Sequence, residues 1–182
     1  MSDWRLTPEN SALIVIDVQE KLMPLIARRV ELIANLQKLL TVAWILQLPT
    51  VLTAQYVKGI GPVIPEITNA APGVKIIEKT SFSCCGTEEF VQTVKDLRRQ
   101  RLIICGIEAH VCIQQTVIDL MKDYFIYLPV DAISARKELD ATVAIERMRD
   151  CGAVVTTMES VVFELLRRSG TEQFKACLPL FK

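Results

Sequence analysis

Short runs of branched apolar residues alternate with longer amphipathic segments along nearly the whole chain. Such runs are typical of strands buried on both faces of a parallel sheet, and the longer segments repeat their apolar positions at helical spacing. The pattern predicts strands at 11–18, 50–56, 74–79, 101–107, 125–133 and 153–159. It also predicts helices at 27–47, 87–99, 110–122, 138–151 and 160–169, several of which end at proline or glycine.

The segment KGIGPVIPEI, at 58–67, does not fit this alternation. Its two glycines and two prolines predict a loop, and its length suggests that it contributes to function. No linker, internal repeat or low-complexity tract divides the remainder. We therefore expect one domain over residues 1–182, since a chain of this length can bury a sizeable core.

Strands that alternate with helices predict a three-layer, doubly wound α/β domain: a Rossmann-like six-stranded parallel sheet with helices on both faces. In such sheets ligands bind beyond the carboxyl ends of the strands, where the strand order reverses. In the common order 3-2-1-4-5-6, the first and fourth strands are neighbours at this point. Asp17 and Cys112 would then face one crevice. Gln55 and Lys79 would stand at the ends of the second and third strands.

Charge and hydropathy argue against two classes of partner. Acidic and basic residues both total 21, so the chain lacks the positive field that holds nucleic acid.

The stretch 39–57 carries no formal charge for about the length that spans a bilayer. It is interrupted by Pro49 and by several threonines and glutamines, which favours a helix end, a turn and a buried strand over a membrane span.

The N-terminal segment MSDWRLTPEN has early charges and no apolar core of the signal-peptide type, so we expect a cytoplasmic protein. The six cysteines are then expected to be thiols. The adjacent Cys84 and Cys85 could pair on oxidation, but a passive position near the pocket is favoured.

Cys112 stands at the start of a predicted helix, where unpaired N–H groups and the helix dipole favour the thiolate over the thiol. A nearby Lys79 ammonium would act in the same direction. The thiolate would attack an electrophilic carbonyl or nitrile carbon and hold it as a thioester-like intermediate. Asp17 would take the thiol proton and pass it to a leaving amine, and N–H groups within 108–112 would receive the oxyanion.

Each of these residues also has a simpler interpretation. A lone cysteine is usually a small buried apolar side chain. Asp17 alone could cap a turn, and Lys79 alone could be solvated at a strand end. The catalytic interpretation rests on coincidence, because an acid, a base and a thiol fall at one edge of the same predicted sheet.

Other kinds of site receive less support. His110 is the only histidine and lies two residues from Cys112 on one predicted turn, so its side chain should point elsewhere. The cysteines lack the spacing of a zinc site, and DVQEKLMP, after the first strand, lacks the glycines of a phosphate-binding loop. We therefore expect neither a metal nor another cofactor.

Three segments, ALIVIDVQ, KTSFSCCGT and GIEAHVCIQQTVIDL, resemble the signature segments of the isochorismatase-like cysteine hydrolases. This superfamily includes nicotinamidases and N-carbamoylsarcosine amidohydrolase. The resemblance runs from Ser11 to about Leu166, where TTMESVVFELL is similar to the last strand and helix of the family. It implies the doubly wound sheet described above and a catalytic triad of Asp17, Lys79 and Cys112.

The resemblance has further implications for the site and the assembly. It implies a cis peptide at Ile107-Glu108 or close by, and an oxyanion hole formed by the N–H groups of Glu108 and Cys112. It also implies a homo-oligomer, for which apolar helix faces and the tail at 177–181 are candidate contacts. The positions that resemble pocket lining are Gln19, Gln55, Tyr56 and Phe82.

Residues that differ from those of some family members limit the activities that the chain is expected to have. Nicotinamidases carry an Asp-x-His and a further His after the second strand to hold a metal. Here that segment is TAQYVKGIGP, and the chain has one histidine. Isochorismatase itself cleaves a vinyl ether without a cysteine nucleophile, so Cys112 favours acyl or amide chemistry. The chain most resembles the small isochorismatase-domain proteins, a likeness that does not specify a substrate.

The resemblance and the residues together predict a metal-independent cysteine hydrolase that cleaves a C–N bond of a small amide-like molecule through a thioester-type intermediate. Two alternatives remain open. One is vinyl-ether hydrolysis of the isochorismatase type, which would survive Cys112→Ala but not Asp17→Ala. The other is a protein that keeps the fold and binds a small molecule or a partner without turnover.

Overall fold

The computed structural model describes residues 4–182. The expected cytoplasmic location rests on the N-terminal segment, whose first three residues lie outside the described residues. The strands are β1 (Ser11–Ile16), β2 (Thr50–Gln55), β3 (Ile76–Lys79), β4 (Arg101–Gly106), β5 (Phe125–Pro129) and β6 (Val154–Thr156). The helices are α1 (Arg29–Ile45), α2 (Val57–Ile60), α3 (Pro65–Ala70), α4 (Glu88–Asp96), α5 (Gln114–Leu120), α6 (Glu138–Asp150), α7 (Met158–Leu166) and α8 (Glu172–Cys177).

The strands form one parallel sheet in the order β3-β2-β1-β4-β5-β6. Helices surround this sheet, so the predicted doubly wound α/β class and the strand order are both confirmed. The order reverses between β1 and β4, which pair along their whole length. Every residue of these two strands is buried, in agreement with their nearly continuous apolar sequences. The position at which a crevice was expected is therefore beyond Ile16 and Gly106.

The strands are shorter than the apolar runs that predict them. β1 ends at Ile16 rather than at residue 18, because Asp17 has a left-handed backbone conformation with φ 54°. β5 ends at Pro129, and the chain turns there instead of continuing to residue 133. β1 and β5 both end early because of the backbone conformation at the strand end. The pattern of apolar residues does not predict that conformation.

The segment predicted to be a loop at 58–67 contains two short helices, α2 and α3. The proline at the first position of α3 suits a helix start, because that N–H would lack a helical partner. Backbone bonds join the segment to the chain after β1: Glu20 N–H donates to Pro62 O and Lys21 N–H donates to Ile60 O, both at 3.1 Å. The segment is therefore attached along its length to the end of β1.

The C-terminal tail forms α8, which the sequence pattern did not predict. Thr171 caps this helix by accepting a hydrogen bond from the Phe174 N–H at 3.1 Å. The centroid of the Phe181 ring lies 5.5 Å from that of the Phe163 ring on α7. Lys38 Nζ on α1 lies 5.6 Å from the Phe181 centroid. The tail, a candidate intersubunit contact, thus packs at least partly on its own chain.

No helix within residues 4–182 is long and apolar enough to cross a membrane. The uncharged stretch at 39–57 forms the end of α1, a turn, β2 and the beginning of α2. Most of its apolar residues, such as Leu40 and Leu52, belong to the hydrophobic core, whereas Trp44 is exposed.

Gly106 is expected to be essential for the end of β4. It has φ +111°, and a Cβ there would clash with the carbonyl oxygen of Ile16 and lie 2.7 Å from Ile16 N. Gly106→Ala should lower the free energy of unfolding by at least about 3 kcal/mol or prevent folding. Chemical denaturation measures this loss.

Gly73→Ala is the matched control for this prediction. Gly73 also has a positive φ, +74°, but nothing lies within 4 Å of a Cβ placed there. Its substitution should cost only backbone strain, about 1 to 2 kcal/mol. Equal losses for the two variants would show that the close approach of β1 and β4 is not the cause.

Candidate active site

Three strand ends place the candidate catalytic residues at one edge of the sheet. Asp17 directly follows β1, Lys79 is the last residue of β3, and Cys112 lies in the turn after β4. β2 lies between β1 and β3, and its last residue, Gln55, pairs in register with Lys79. The Lys79 side chain crosses the end of β2 to reach Asp17.

Asp17 and Lys79 form a buried ion pair, with 2.7 Å between Asp17 Oδ2 and Lys79 Nζ. Their side chains are 1% and 0% exposed, so Lys79 is not the solvated strand-end residue of the simpler interpretation. The other carboxylate oxygen of Asp17 accepts a hydrogen bond from Thr53 Oγ1 at 2.6 Å. The Asp17 N–H donates to Thr53 O at 3.2 Å. Thr53 therefore holds both the main chain and the side chain of Asp17.

The ammonium group of Lys79 has four acceptors within hydrogen-bonding distance. Besides the carboxylate already described, these are Gln55 Oε1 at 2.6 Å and the carbonyl oxygens of Ser81 and Phe82, both at 3.2 Å. Three N–H bonds serve four acceptors, so no proton of Lys79 is left over for Cys112. Lys79 thus acts on the thiol through its charge rather than through a hydrogen bond.

The charge of Lys79 is maintained by its partner. Burial lowers the pKa of Lys79, because it penalises the charged amine, but the Asp17 carboxylate raises it, as does any negative charge that forms on Cys84 or Cys112. The net result is a raised pKa, and the amine is protonated at neutral pH. The two strand ends therefore carry opposite charges side by side.

Cys112 lies in a wide turn of the π type, Ala109–Ile113, and α5 begins only at Gln114. This π-helical turn runs directly into α5, so the helix predicted from residue 110 is present. Its first turn, which carries Cys112, is of the π type rather than the α type. The turn follows a cis peptide at Ile107-Glu108, which confirms the expectation from the resemblance.

Backbone hydrogen bonds hold the turn in shape. The Ala109 N–H donates to Ser134 O at 2.9 Å, and the Val111 N–H donates to Glu108 O at 3.1 Å. These two N–H groups are occupied and cannot receive an oxyanion. The assignment of that role to the N–H groups of Glu108 and Cys112 stays a prediction.

The Cys112 thiol is buried and lies close enough to the Asp17 carboxylate to sense its charge. Burial makes the largest contribution to a raised pKa of Cys112, and the negative charge of Asp17 raises it further. The positive charge of Lys79 lowers it by less, so the net pKa lies well above its ordinary value of 9.0. The prediction that this position favours a thiolate is wrong, since burial and the carboxylate outweigh the ammonium. The resting group is a thiol.

Cys84 is a second buried thiol beside these residues. Its N–H donates to the Thr116 hydroxyl at 2.9 Å, and that hydroxyl donates to Cys112 O at 2.6 Å. Its Sγ lies 4.0 Å from Thr53 Oγ1. Burial, only partly offset by Lys79, raises the pKa of Cys84 to about 12. Cys84 is therefore a neutral thiol that lies between Thr53, the partner of Asp17, and the turn that carries Cys112.

Cys85 has a different environment from its neighbour. It is partly exposed, and its N–H donates to Ser83 Oγ at 3.2 Å, while that hydroxyl donates to Asp119 at 2.7 Å. Both cysteines are free thiols.

Sequence reasoning did not find Thr53 or Thr116. Thr53 precedes Gln55 by two residues on β2, so the two side chains share one face of the strand. Thr116 follows Cys112 by four residues, so it lies on the same side of the helical segment. These spacings are the signals that could have identified both threonines.

The four residues that resemble pocket lining differ in exposure. Gln19 has no exposed surface: its amide donates to Gln55 O at 2.8 Å and Gly61 O at 2.6 Å, and accepts from the Gln55 N–H at 2.7 Å. Tyr56 and Phe82 are 54% and 56% exposed. The aromatic rings can meet a ligand from solvent, whereas the two glutamines bond to the protein itself. That all four line a pocket stays a prediction.

Two side-chain contacts join the turn that carries Cys112 to the region where α6 begins. The Arg136 Nε donates to the Glu108 carboxylate at 2.9 Å, and His110 Nε2 lies 3.9 Å from Asp140 Oδ2. His110 thus faces a carboxylate on α6. Within the part of the chain that the structure describes, no group of three His, Cys, Asp or Glu side chains is arranged to hold a metal ion.

Removing one member of the buried ion pair is expected to destabilise the fold. Asp17→Asn leaves the Lys79 charge buried without its counter-ion and should lower the free energy of unfolding by about 3 to 5 kcal/mol. Lys79→Met should have a similar effect, whereas the double variant should be more stable than either single one. Urea denaturation of the four proteins measures this coupling, and strictly additive losses would contradict it.

The buried Cys84 thiol should make stability depend on alkaline pH. It stays protonated in the folded chain but ionises near its ordinary value of 9.0 after unfolding. The folded state then binds more protons, so its stability falls as pH rises from about 9 towards 12. Cys84→Ala should make this fall shallower by up to about 1.4 kcal/mol per pH unit.

Unfolding free energies measured from pH 8 to 10.5 test this expectation. Ser83→Ala, which removes a neighbouring side chain with no titrating proton, is the control and should keep the wild-type slope. An unchanged slope in Cys84→Ala would mean that the thiol is not held protonated.

Residues 11–160 match the family model described as the isochorismatase domain. The chain is 37% identical to mouse isochorismatase domain-containing protein 2A over 181 residues, which cover 98% of this chain and 85% of the mouse protein.

Two solved structures share the fold over nearly the full chain. The structure of MAR1 ribonuclease from Caenorhabditis elegans is 37% identical and superposes with a TM-score of 0.92, covering 97% of this chain and 92% of that one. The ycaC gene product of Escherichia coli, described as an octameric hydrolase of unknown specificity, is 26% identical with a TM-score of 0.93, covering 100% and 91%. The sheet order, the three residues at its edge and these likenesses agree that the chain belongs to the isochorismatase family.

Proposed function

We propose that this chain is a cysteine hydrolase that cleaves the C–N bond of a small amide without a bound metal. The observation that carries the proposal is the buried Asp17–Lys79 pair at the sheet edge, beside the buried Cys112 thiol whose pKa both charges affect. Membership of a hydrolase family supports hydrolysis as the reaction type. A thiol, a carboxylate and an ammonium supply the nucleophile, the base and the positive charge that acyl transfer from an amide needs.

In the first half of the proposed reaction, Cys112 Sγ attacks the carbonyl carbon of the amide while the thiol proton passes to Asp17. The carbonyl oxygen becomes an oxyanion, which the N–H groups of Glu108 and Cys112 would receive. The C–N bond then breaks as Asp17 gives the proton to the leaving nitrogen. The products of this half are an amine and a thioester on Cys112.

In the second half, water attacks the carbonyl carbon of the thioester while one of its protons passes to Asp17. The C–S bond breaks, and the proton held by Asp17 returns to the sulfur of Cys112. A carboxylic acid leaves, and the thiol and carboxylate are restored. The protein gains and loses no proton over the cycle.

The raised pKa of Cys112 supports Asp17 as a general base. Few thiolates exist at neutral pH in the resting site, because burial and the carboxylate oppose ionisation. The proton must therefore leave as the sulfur attacks, and Asp17 is the carboxylate placed beside that thiol to take it. Lys79 would stabilise the negative charge that grows on sulfur and oxygen.

RNA cleavage is another candidate, because the C. elegans relative is described as a ribonuclease. Binding of an RNA backbone relies on an excess of positive charge. This chain has 21 acidic and 21 basic residues, which gives no such excess. The charge balance thus favours a small amide over a nucleic acid.

We also propose that the chain forms a homo-oligomer, since the E. coli relative is an octamer. Large apolar side chains on helix surfaces are candidate contacts, and the most exposed are Val30, Leu139 and Trp44.

Release of ammonia or amine from a panel of small amides tests the proposed activity. For an amide that the wild-type chain hydrolyses, Cys112→Ala and Asp17→Asn should each lower kcat by at least about a thousandfold, since each removes a reacting group. Cys151→Ala removes an exposed thiol distant in sequence from the site and is the control that should keep activity.

Other outcomes would favour the other candidates. Turnover that survives Cys112→Ala but not Asp17→Ala would indicate vinyl-ether chemistry. Cleavage of RNA by a chain that leaves every amide intact would favour a ribonuclease. Binding of a small molecule by calorimetry, without turnover of any compound, would favour a binding protein.

A further inference from the structure

Gln55 supplies Lys79 with its second side-chain acceptor. Its Oε1 lies 2.6 Å from Lys79 Nζ, slightly closer than the Asp17 oxygen at 2.7 Å. Its Nε2 donates to Thr80 O at 2.7 Å, so the amide can present only its oxygen to the lysine. The orientation of the Gln55 amide is therefore determined by its two partners.

The backbone of Gln55 is held as firmly as its side chain. The buried amide of Gln19 accepts from the Gln55 N–H at 2.7 Å and donates to Gln55 O at 2.8 Å. Gln19 also donates to Gly61 O at 2.6 Å. Hydrogen bonds of Gln19 thus connect the chain after β1 to Gln55 at the end of β2 and to Gly61 in the segment that follows β2.

The charge of the two acceptors differs. Lys79 faces one carboxylate, Asp17, and one neutral amide, Gln55, so the ion pair has no net charge. The other titrating groups that face it are the thiols of Cys84 and Cys112. A second carboxylate in place of the amide would give the site a net negative charge. That charge would oppose the formation of a thiolate or an oxyanion beside it.

We propose that Gln55 is a positioning residue that holds the Lys79 ammonium with an uncharged acceptor and so preserves the attraction of Lys79 for negative charge on Cys112. The proposal rests on the cysteine mechanism proposed above and assigns to Gln55 a task different from lining the substrate pocket. A purely structural role would require an acceptor of suitable shape but would not depend on its charge.

Alkylation of Cys112 by iodoacetamide tests this dependence on charge. Rates are measured by peptide mass spectrometry from pH 7 to 10 in the wild type, Gln55→Glu and Gln55→Met. Gln55→Glu keeps the shape and adds a charge, and it should slow Cys112 alkylation by at least about tenfold at pH 8 to 9. Gln55→Met keeps the length without an acceptor or a charge, and its rate should stay within about threefold of the wild type or rise.

Gln173→Glu adds the same charge at an exposed position on α8 and should leave the rate unchanged. Circular dichroism verifies that each variant folds. If Gln55→Glu does not fold, Gln55→Asp replaces it, with the same tenfold loss expected. A wild-type rate in the acidic variant, or an equal tenfold loss in Gln55→Met, would overturn the proposal.

This experiment also separates the proposal from the proposed function. Lys79→Met, made in the otherwise intact chain, should change the rate of Cys112 alkylation. If the rate stays the same, this result would count against the cysteine mechanism itself. If the alkylation rate depends on Lys79 but not on the charge at position 55, the cysteine mechanism is still supported. Only the role proposed for Gln55 would then be wrong.

Discussion

The ion pair between Asp17 and Lys79 is the interaction on which the rest of the site depends. Taking two charges out of water is costly, and the cost is offset only where each charge keeps close partners. Here the carboxylate has Lys79 and Thr53, and the ammonium has Asp17, Gln55 and two backbone carbonyls. These partners come from the ends of β1, β2 and β3. A parallel sheet places such ends at one edge, and the order reversal beside β1 leaves room there for the turn that carries Cys112.

The same pair determines the state of the cysteine. A carboxylate beside the thiol and burial around it both oppose ionisation, and the ammonium is already occupied by other acceptors. Cys112 therefore keeps its proton in the resting site, and in the proposed mechanism Asp17 takes that proton when an electrophile arrives. Cys84 is connected to the turn that carries Cys112 through Thr116. The Thr116 hydroxyl accepts from the Cys84 N–H and donates to Cys112 O.

Much of the fold could be predicted because apolar runs such as 11–16 and 101–106 report burial directly, and alternation with helices then implies a parallel sheet. Asp17, Lys79 and Cys112 could be predicted because each stands at or just after a strand end. The short helices α2, α3 and α8 were missed, since four to six residues are too few for a clear apolar period. The thiol state of Cys112 and the bond from Gln55 to Lys79 depend on side chains that meet across strands, which spacing along one chain does not reveal.

Acylation of Cys112 by an activated ester would trap the covalent intermediate that the proposed mechanism requires. Brief exposure to p-nitrophenyl acetate, an acid quench that preserves thioesters and peptide mass spectrometry would locate the acetyl group. We expect acetyl on the Cys112 peptide of the wild type in large excess over the other five cysteines, and its loss in Asp17→Asn. Acetyl groups on exposed Cys151 or on surface lysines, with none on Cys112, would contradict it.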